Sequence, residues 1–242
     1  MVTVLRLALN DFKNIVRDKL LISLAILYPV ILIMFSQILV QFVAPSLKGT
    51  IPLAGNFTVF FLLFVTIIPI LYGFIASFLI LDEKDEHLLT VLRVMPISRN
   101  TYLVYRMLFL TFFSFLVLFI FPPLSGLIGN TQFTYVHYIP IAVLFSLLTP
   151  FSAMLVSSFA TNKVQAFAIF KISATIYMLP LFTFLISDNL KYIFSPAPNF
   201  WGFIALKEVL ATGSNDYLHL AIGFIYTIIL IITLFYIFNK KN

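Results

Sequence analysis

The chain has 242 residues, 62% of them hydrophobic and 10% charged, with 29 phenylalanines and a mean hydropathy of +1.08. A water-soluble domain of this length cannot hide so much apolar surface, so the composition excludes that class and points to an integral membrane protein. The absence of cysteine excludes a disulfide framework and thiolate chemistry, and the basic residues behind the formal charge of +6 border apolar runs instead of forming a nucleic-acid patch.

Residues 1–19 come first. Val4, Leu5, Ala8, Leu9, Phe12, Ile15 and Val16 fall on one helical arc, with Leu7 slightly off it. Arg6, Asn10, Lys13, Asn14 and Arg17 fall on the opposite one. This pattern predicts an amphipathic helix lying in the membrane interface. The apolar run that follows is long enough to span and lacks a small-residue cleavage site, so it reads as a first transmembrane helix and not as a signal peptide.

Six segments reach the length needed to cross the hydrocarbon core: 20–43, 57–81, 102–121, 139–160, 166–186 and 217–238. Backbone groups have no partners in lipid, and no period-two alternation is present, so the spans are expected to be helices and not barrel strands. With an even number of spans, twelve of the fifteen Lys and Arg residues fall on one side and Lys48, Lys191 and Lys207 on the other. The positive-inside rule therefore predicts that both termini are cytoplasmic.

The connection between the second and third spans, residues 82–98, carries an unusual share of charge. Asp82, Glu83, Asp85 and Glu86 stand at its start, where acids suit a helix N-terminus, and Arg93 stands late, where a cation does. Leu88, Leu92 and Met95 repeat at i, i+4 and i+7, with Leu89 and Val91 nearby. Pro96 stops the run, and Ser98 or Asn100 can cap the next helix. The expectation is a short cytoplasmic helix suited to touching another protein.

Farther on, residues 187–216 are too long for a simple turn. Pro196 and Pro198 precede Asn199, a candidate N-cap, and Gly213 is a candidate stop. A helix over 200–211 is about 18 Å long, too short to cross. Trp201 and Lys207 suit an interface, so a re-entrant or surface-lying pair of short helices is expected before the last span.

No G-x-x-x-x-G-K-[ST] is present, so the chain has no usual loop for ATP phosphates. His87, His137 and His219 lack metal-ligand spacing, and His87 beside Asp85 and Glu86 reads as solvated loop. Ser125 lacks a basic partner, which leaves an intramembrane enzyme without support. An ion-coupled secondary transporter would carry acids within its spans, and none is expected inside a span here. Lys171 is the one deep charge expected, five residues into the fifth span, or about 8 Å. Both a snorkelling lysine and a cationic contact at the inner mouth of a pathway are consistent with that depth.

The stretch DEKDEHLLTVLRVMPISRNTYLVYRM resembles the cytoplasmic loop of type-2 ABC-transporter permeases. In that family an acidic segment leads to a Gly-Thr-Leu-x-x-Leu-like helix and a Pro-Ile/Leu-Ser step. The match falls on Glu83, Asp85, Leu89, Leu92, Pro96, Ile97 and Ser98, and departs at His87 and Leu88. The resemblance extends to the N-terminal helix, the six spans and the stretch Pro198–Trp201. Arg93-Val94 ahead of Pro96 is similar to the drug-export branch, and amphipathic-peptide exporters share the plan.

The resemblance implies an all-α, single-domain permease of a bacterial cytoplasmic-membrane exporter, with no cofactor on this chain. ATP and Mg would be held by a separate ATPase subunit, and a second permease copy or homologue would complete the pathway. It implies coupling to the ATPase through Glu83, Asp85, Glu86, Leu89, Leu92, Arg93 and Pro96. Facing second and fifth spans would place Phe60, Phe64, Thr66 and Ile67 along the path with Lys171, Thr175 and Met178. Pro69 and Pro180 would bend these spans. So apolar a path suits a drug, peptide or lipid.

Overall fold

The computed structural model describes residues 23–46, 57–86, 99–129 and 131–241. Among the described residues all regular structure is helical, and six stretches are long and apolar enough to cross a membrane. They are Ala25–Val43, Phe57–Asp85, Asn100–Ser125, Tyr135–Phe159, Lys163–Phe184 and Tyr217–Lys241. The chain is thus an all-α, multi-pass membrane protein. The expected interfacial helix over 1–19 and the loop helix beyond Glu86 lie outside the described residues.

The first span is α1, Tyr28–Ile38, with a widened π turn on either side. The second is α2, Phe57–Asp85, and the third is α3, Arg99–Ser125. The fourth is broken into α4, Tyr135–Ser146, and α5, Leu148–Phe159. Pro150 explains the break, because its missing N–H leaves the Ser146 carbonyl without its helical donor. The fifth span is α6, Lys163–Met178, which tightens into a 3-10 turn over Leu179–Phe184. Pro180 removes the donor to Ile176, and the Leu179 N–H takes that carbonyl instead. A short helix, α7, spans Phe200–Thr212, and α8 spans Tyr217–Lys241.

Local chemistry sets several ends. Asn162 is extended, and its Oδ1 accepts from the Gln165 N–H at 2.9 Å to cap α6. Gly213 ends α7 in the left-handed region at φ 75°, as the sequence leads one to expect. Asn199 stands just before α7 but does not cap it. Its Nδ2 donates instead to the Tyr177 carbonyl at 2.8 Å, tying α7 to the end of α6.

α2 is the hub and packs against α1, α3, α4, α5, α6 and α7. Lipid offers no hydrophobic drive between helices, so close packing and hydrogen bonds must hold them. Small residues supply the first. A Cβ added to Gly73 would stand 2.5 Å from the Ser152 Cβ and 2.6 Å from the Thr149 carbonyl, so only glycine lets α2 and α5 approach this closely. The Thr149 hydroxyl then donates to the Pro69 carbonyl at 3.1 Å.

Tyrosines supply the second. Pro29 cannot donate to the Ala25 carbonyl, and the Tyr72 hydroxyl from α2 takes that place at 2.7 Å. Pro122 likewise frees the Leu118 carbonyl, which accepts from the Tyr138 hydroxyl of α4 at 3.0 Å. In both cases a neighbouring helix satisfies the group that proline leaves bare.

The two ends of the bundle differ. At one end Lys84 donates to the Ser157 carbonyl at 2.8 Å, Lys241 donates to the Ser158 carbonyl at 3.3 Å, and Lys163 pairs with Asp82 at 2.7 Å. The first two cations sit on the last carbonyls of α5, where the helix dipole favours them. This is the basic end. At the far end the Gln132 N–H bonds the Leu210 carbonyl at 3.2 Å, and Tyr226 donates to the Pro196 carbonyl at 2.8 Å.

Candidate coupling and translocation sites

The charged stretch does not begin where the sequence suggests. α2 runs on through Asp85, so Asp82, Glu83, Lys84 and Asp85 end the second span helix instead of starting a separate one. The helix continues because no proline or glycine interrupts it, and because two of its acids find cations on other helices. Asp82 pairs with Lys163 of α6, and Glu83 pairs with Arg106 of α3.

Glu83 is only 7% exposed and Arg106 only 2%, although Glu83 was expected in a cytoplasmic connection touching another protein. The Glu83 carboxylate accepts from the Arg106 guanidinium and from the Tyr102 hydroxyl on the same oxygen. Arg106 Nη1 also reaches the Leu79 carbonyl at 3.4 Å, and the guanidinium lies 5.4 Å from the Tyr102 ring centre. A helix acid is therefore buried within a span helix, contrary to the expectation that none would be. Asp85 and Glu86 are exposed beyond it and remain open to a partner. Leu89, Leu92, Arg93 and Pro96 lie outside the described residues.

The residues expected along a path divide by helix. Phe64 and Thr66 are buried inside the chain: Phe64 packs against Phe35 of α1 and Phe121 of α3, and the Thr66 hydroxyl bonds its own Leu62 carbonyl at 2.9 Å. Phe60 and Ile67 are half-buried. Phe64 and Thr66 thus face other helices of this chain and not a path between subunits, while α2 stays partly exposed at Phe60, Leu63 and Ile67. On α6, Lys171 and Thr175 are exposed and Met178 is half-buried. The Thr175 hydroxyl bonds the Lys171 carbonyl at 3.2 Å.

Lys171 lies eight residues, about 12 Å by helix rise, from the start of α6 at Lys163. The two sets meet only indirectly. Phe74 and Phe78 of α2 stack with Phe167, and Phe74 with Phe170, which joins the lower half of α2 to α6.

Two polar clusters escaped the sequence reading. Tyr102 and Arg106 stand at i and i+4 on the far side of the connection from Glu83, and that spacing was the available signal. The other cluster is at the far end. His219 of α8 bonds Asp216 through Nδ1 and the Tyr192 hydroxyl through Nε2, the latter at 3.1 Å, with Trp201 of α7 at 5.7 Å from its ring. Burial raises the Asp216 carboxyl, but hydrogen bonds and charge from His219 outweigh it, so the group titrates below the ordinary carboxylate range.

The comparisons with known proteins follow this geometry. A family profile described as "Fluoroquinolones export permease protein Rv2686c-like" matches residues 11–235. Two curated proteins of Mycobacterium tuberculosis are similar over nearly the whole chain. One is named fluoroquinolones export permease protein MT2760, from strain CDC 1551 / Oshkosh, and the other Rv2686c, from strain ATCC 25618 / H37Rv. Each is 27% identical over 242 residues, which covers 96% of this chain and 92% of the relative. No solved structure matches significantly.

Proposed function

The chain belongs to the Rv2686c-like family of fluoroquinolone export permeases, and from that premise we propose that it is the transmembrane half of an ATP-driven drug exporter. As a permease it is a transport subunit and not an enzyme. Energy would come from a separate ABC ATPase holding ATP and Mg, docked on the basic end, with a second permease copy or homologue beside it. The membrane would be a bacterial cytoplasmic membrane with both termini inside, in line with the Lys and Arg bias.

The observation that carries the transport reading is the open face of α6. Only 22% of the fifth span's apolar stretch is buried within the chain, as little as in the last span (22%) and the first (17%), and among these three it is α6 that carries an exposed lysine in mid-helix. Along its exposed side Phe167 and Lys171 stand one turn apart, so an aromatic surface and a cation share one face. A flat aromatic drug bearing a carboxylate, as fluoroquinolones do, would stack on the ring and pair with the ammonium. A lysine that merely faced lipid at this depth would carry a cost that a path or a subunit seam removes.

The test uses inside-out membrane vesicles from cells producing the chain with the ATPase that copurifies with it. ATP-dependent uptake of a fluorescent fluoroquinolone is expected, and Lys171→Ala is expected to lower it several-fold while leaving the amount of assembled complex unchanged. Uptake that ignores ATP but collapses with a proton uncoupler would favour an ion-coupled transporter instead, for which the buried Glu83 is the specific argument.

A further inference from the structure

The connection over 87–98 leaves α2 just after Glu86 and enters α3 at Arg99. Its two roots are joined by Glu83, in the last turn of α2, with Tyr102 and Arg106, in the first turns of α3. Beside that cluster α2 forms a second ion pair, Asp82 with Lys163 of α6, and Lys84 reaches the Ser157 carbonyl of α5. The two ion pairs differ in kind. Asp82 and Lys163 are 33% and 46% exposed, a solvated pair that yields easily. Glu83 and Arg106 are desolvated and share a carboxylate oxygen with a phenol, so separating them carries a desolvation cost that the solvated pair does not.

A buried pair of this sort is not needed for stability, since well-packed apolar side chains of like volume serve as well or better. What it fixes is geometry. We propose that Glu83, Arg106 and Tyr102 are positioning residues that clamp the two roots of the connection, so that a displacement of the connection moves α2 and α3 as one body. Because α2 is locked to α5 through Gly73, the moving unit includes the core of the bundle. The inference rests on the ATP-driven reading above for what displaces the connection, but the clamp itself is read without it.

Two measurements test it. The chain has no cysteine, so Glu86→Cys and Asn100→Cys give a unique spin-label pair across the roots, measured in liposomes. One narrow distance is expected in the otherwise unaltered chain, and a broadened distribution in Glu83→Gln. An unchanged distribution overturns the clamp. In the vesicle assay, Glu83→Gln is expected to keep the bound ATPase hydrolysing but to lower drug moved per ATP roughly ten-fold. An unchanged ratio overturns the coupling role.

Where Glu83→Gln fails to accumulate, the neutral pair Glu83→Gln with Arg106→Gln removes the stranded charge. A folded neutral pair that stays uncoupled supports the proposal, and one that regains full coupling reduces the cluster to charge balance and overturns it. Tyr102→Phe removes only one hydroxyl and decides the matter if neither accumulates: a measurable fall in drug per ATP supports the clamp, and none sinks it. Should the unaltered chain move drug without ATP, the exporter reading fails while the spin-label result still judges the clamp.

Discussion

The second and fifth spans make the most instructive contrast in the molecule. Both are long and apolar, and family resemblance would have them face one another as matched walls. Yet 72% of the apolar stretch of α2 is buried within the chain, against 22% for α6. One is the pillar around which the other spans gather, and the other is a side wall open along most of its length. Apolar composition alone therefore does not say which helix meets a partner or a substrate. The distribution of small and polar residues along it does.

The largest effect separating the two comes from bulk. Gly73→Leu forces a side chain into Ser152 and the Thr149 carbonyl. It is expected to cost about 3 kcal/mol or more and to abolish accumulation of folded protein in membranes. Ala168→Leu on the exposed side of α6 is expected to leave thermal unfolding in detergent unchanged. Equal tolerance at both sites would erase the distinction.

Accessibility gives the next largest signal. Thr175→Cys is expected to react with a maleimide, or to cross-link to a second copy, at least an order of magnitude faster than Thr66→Cys. A reactive Thr66→Cys would place α2 on a path after all. A smaller effect tests what holds the pillar to its neighbours. Tyr138→Phe strands the Leu118 carbonyl and is expected to cost about 1–2 kcal/mol in unfolding free energy. The smallest is Lys163→Ala, which breaks a half-exposed pair and is expected to cost under about 1 kcal/mol. A larger loss there would mean that α6 is fastened to α2 more firmly than the geometry indicates.

Much of this was legible in the residues. The spans follow from apolar length, and the match to the observed helices is close because lipid leaves no other way to satisfy the backbone. The stop at Gly213 and the change of helix at Pro180, expected as a bend, follow from chemistry that does not depend on tertiary contacts. The end of α2 was misjudged because four consecutive charged residues look like a loop until a partner is known, and Arg106 stands 23 residues farther on. The role of α2 was also readable in principle. A helix apolar on every side, with Gly73, Ala76 and Ser77 spaced along it, reads as interior. Phe64 and Thr66 were drawn onto a path by resemblance, while their own neighbours place them within the bundle. α6 starts three residues before the expected span, at the Asn162 cap.

The tyrosines that stand in for missing donors at Pro29 and Pro122 have a mechanical consequence. A kinked rod in oil would ordinarily expose a bare oxygen each time it flexed. Here a phenol from the adjoining rod already covers that oxygen. Neither joint then carries a bare acceptor into the oil, and neither needs a water molecule to satisfy it.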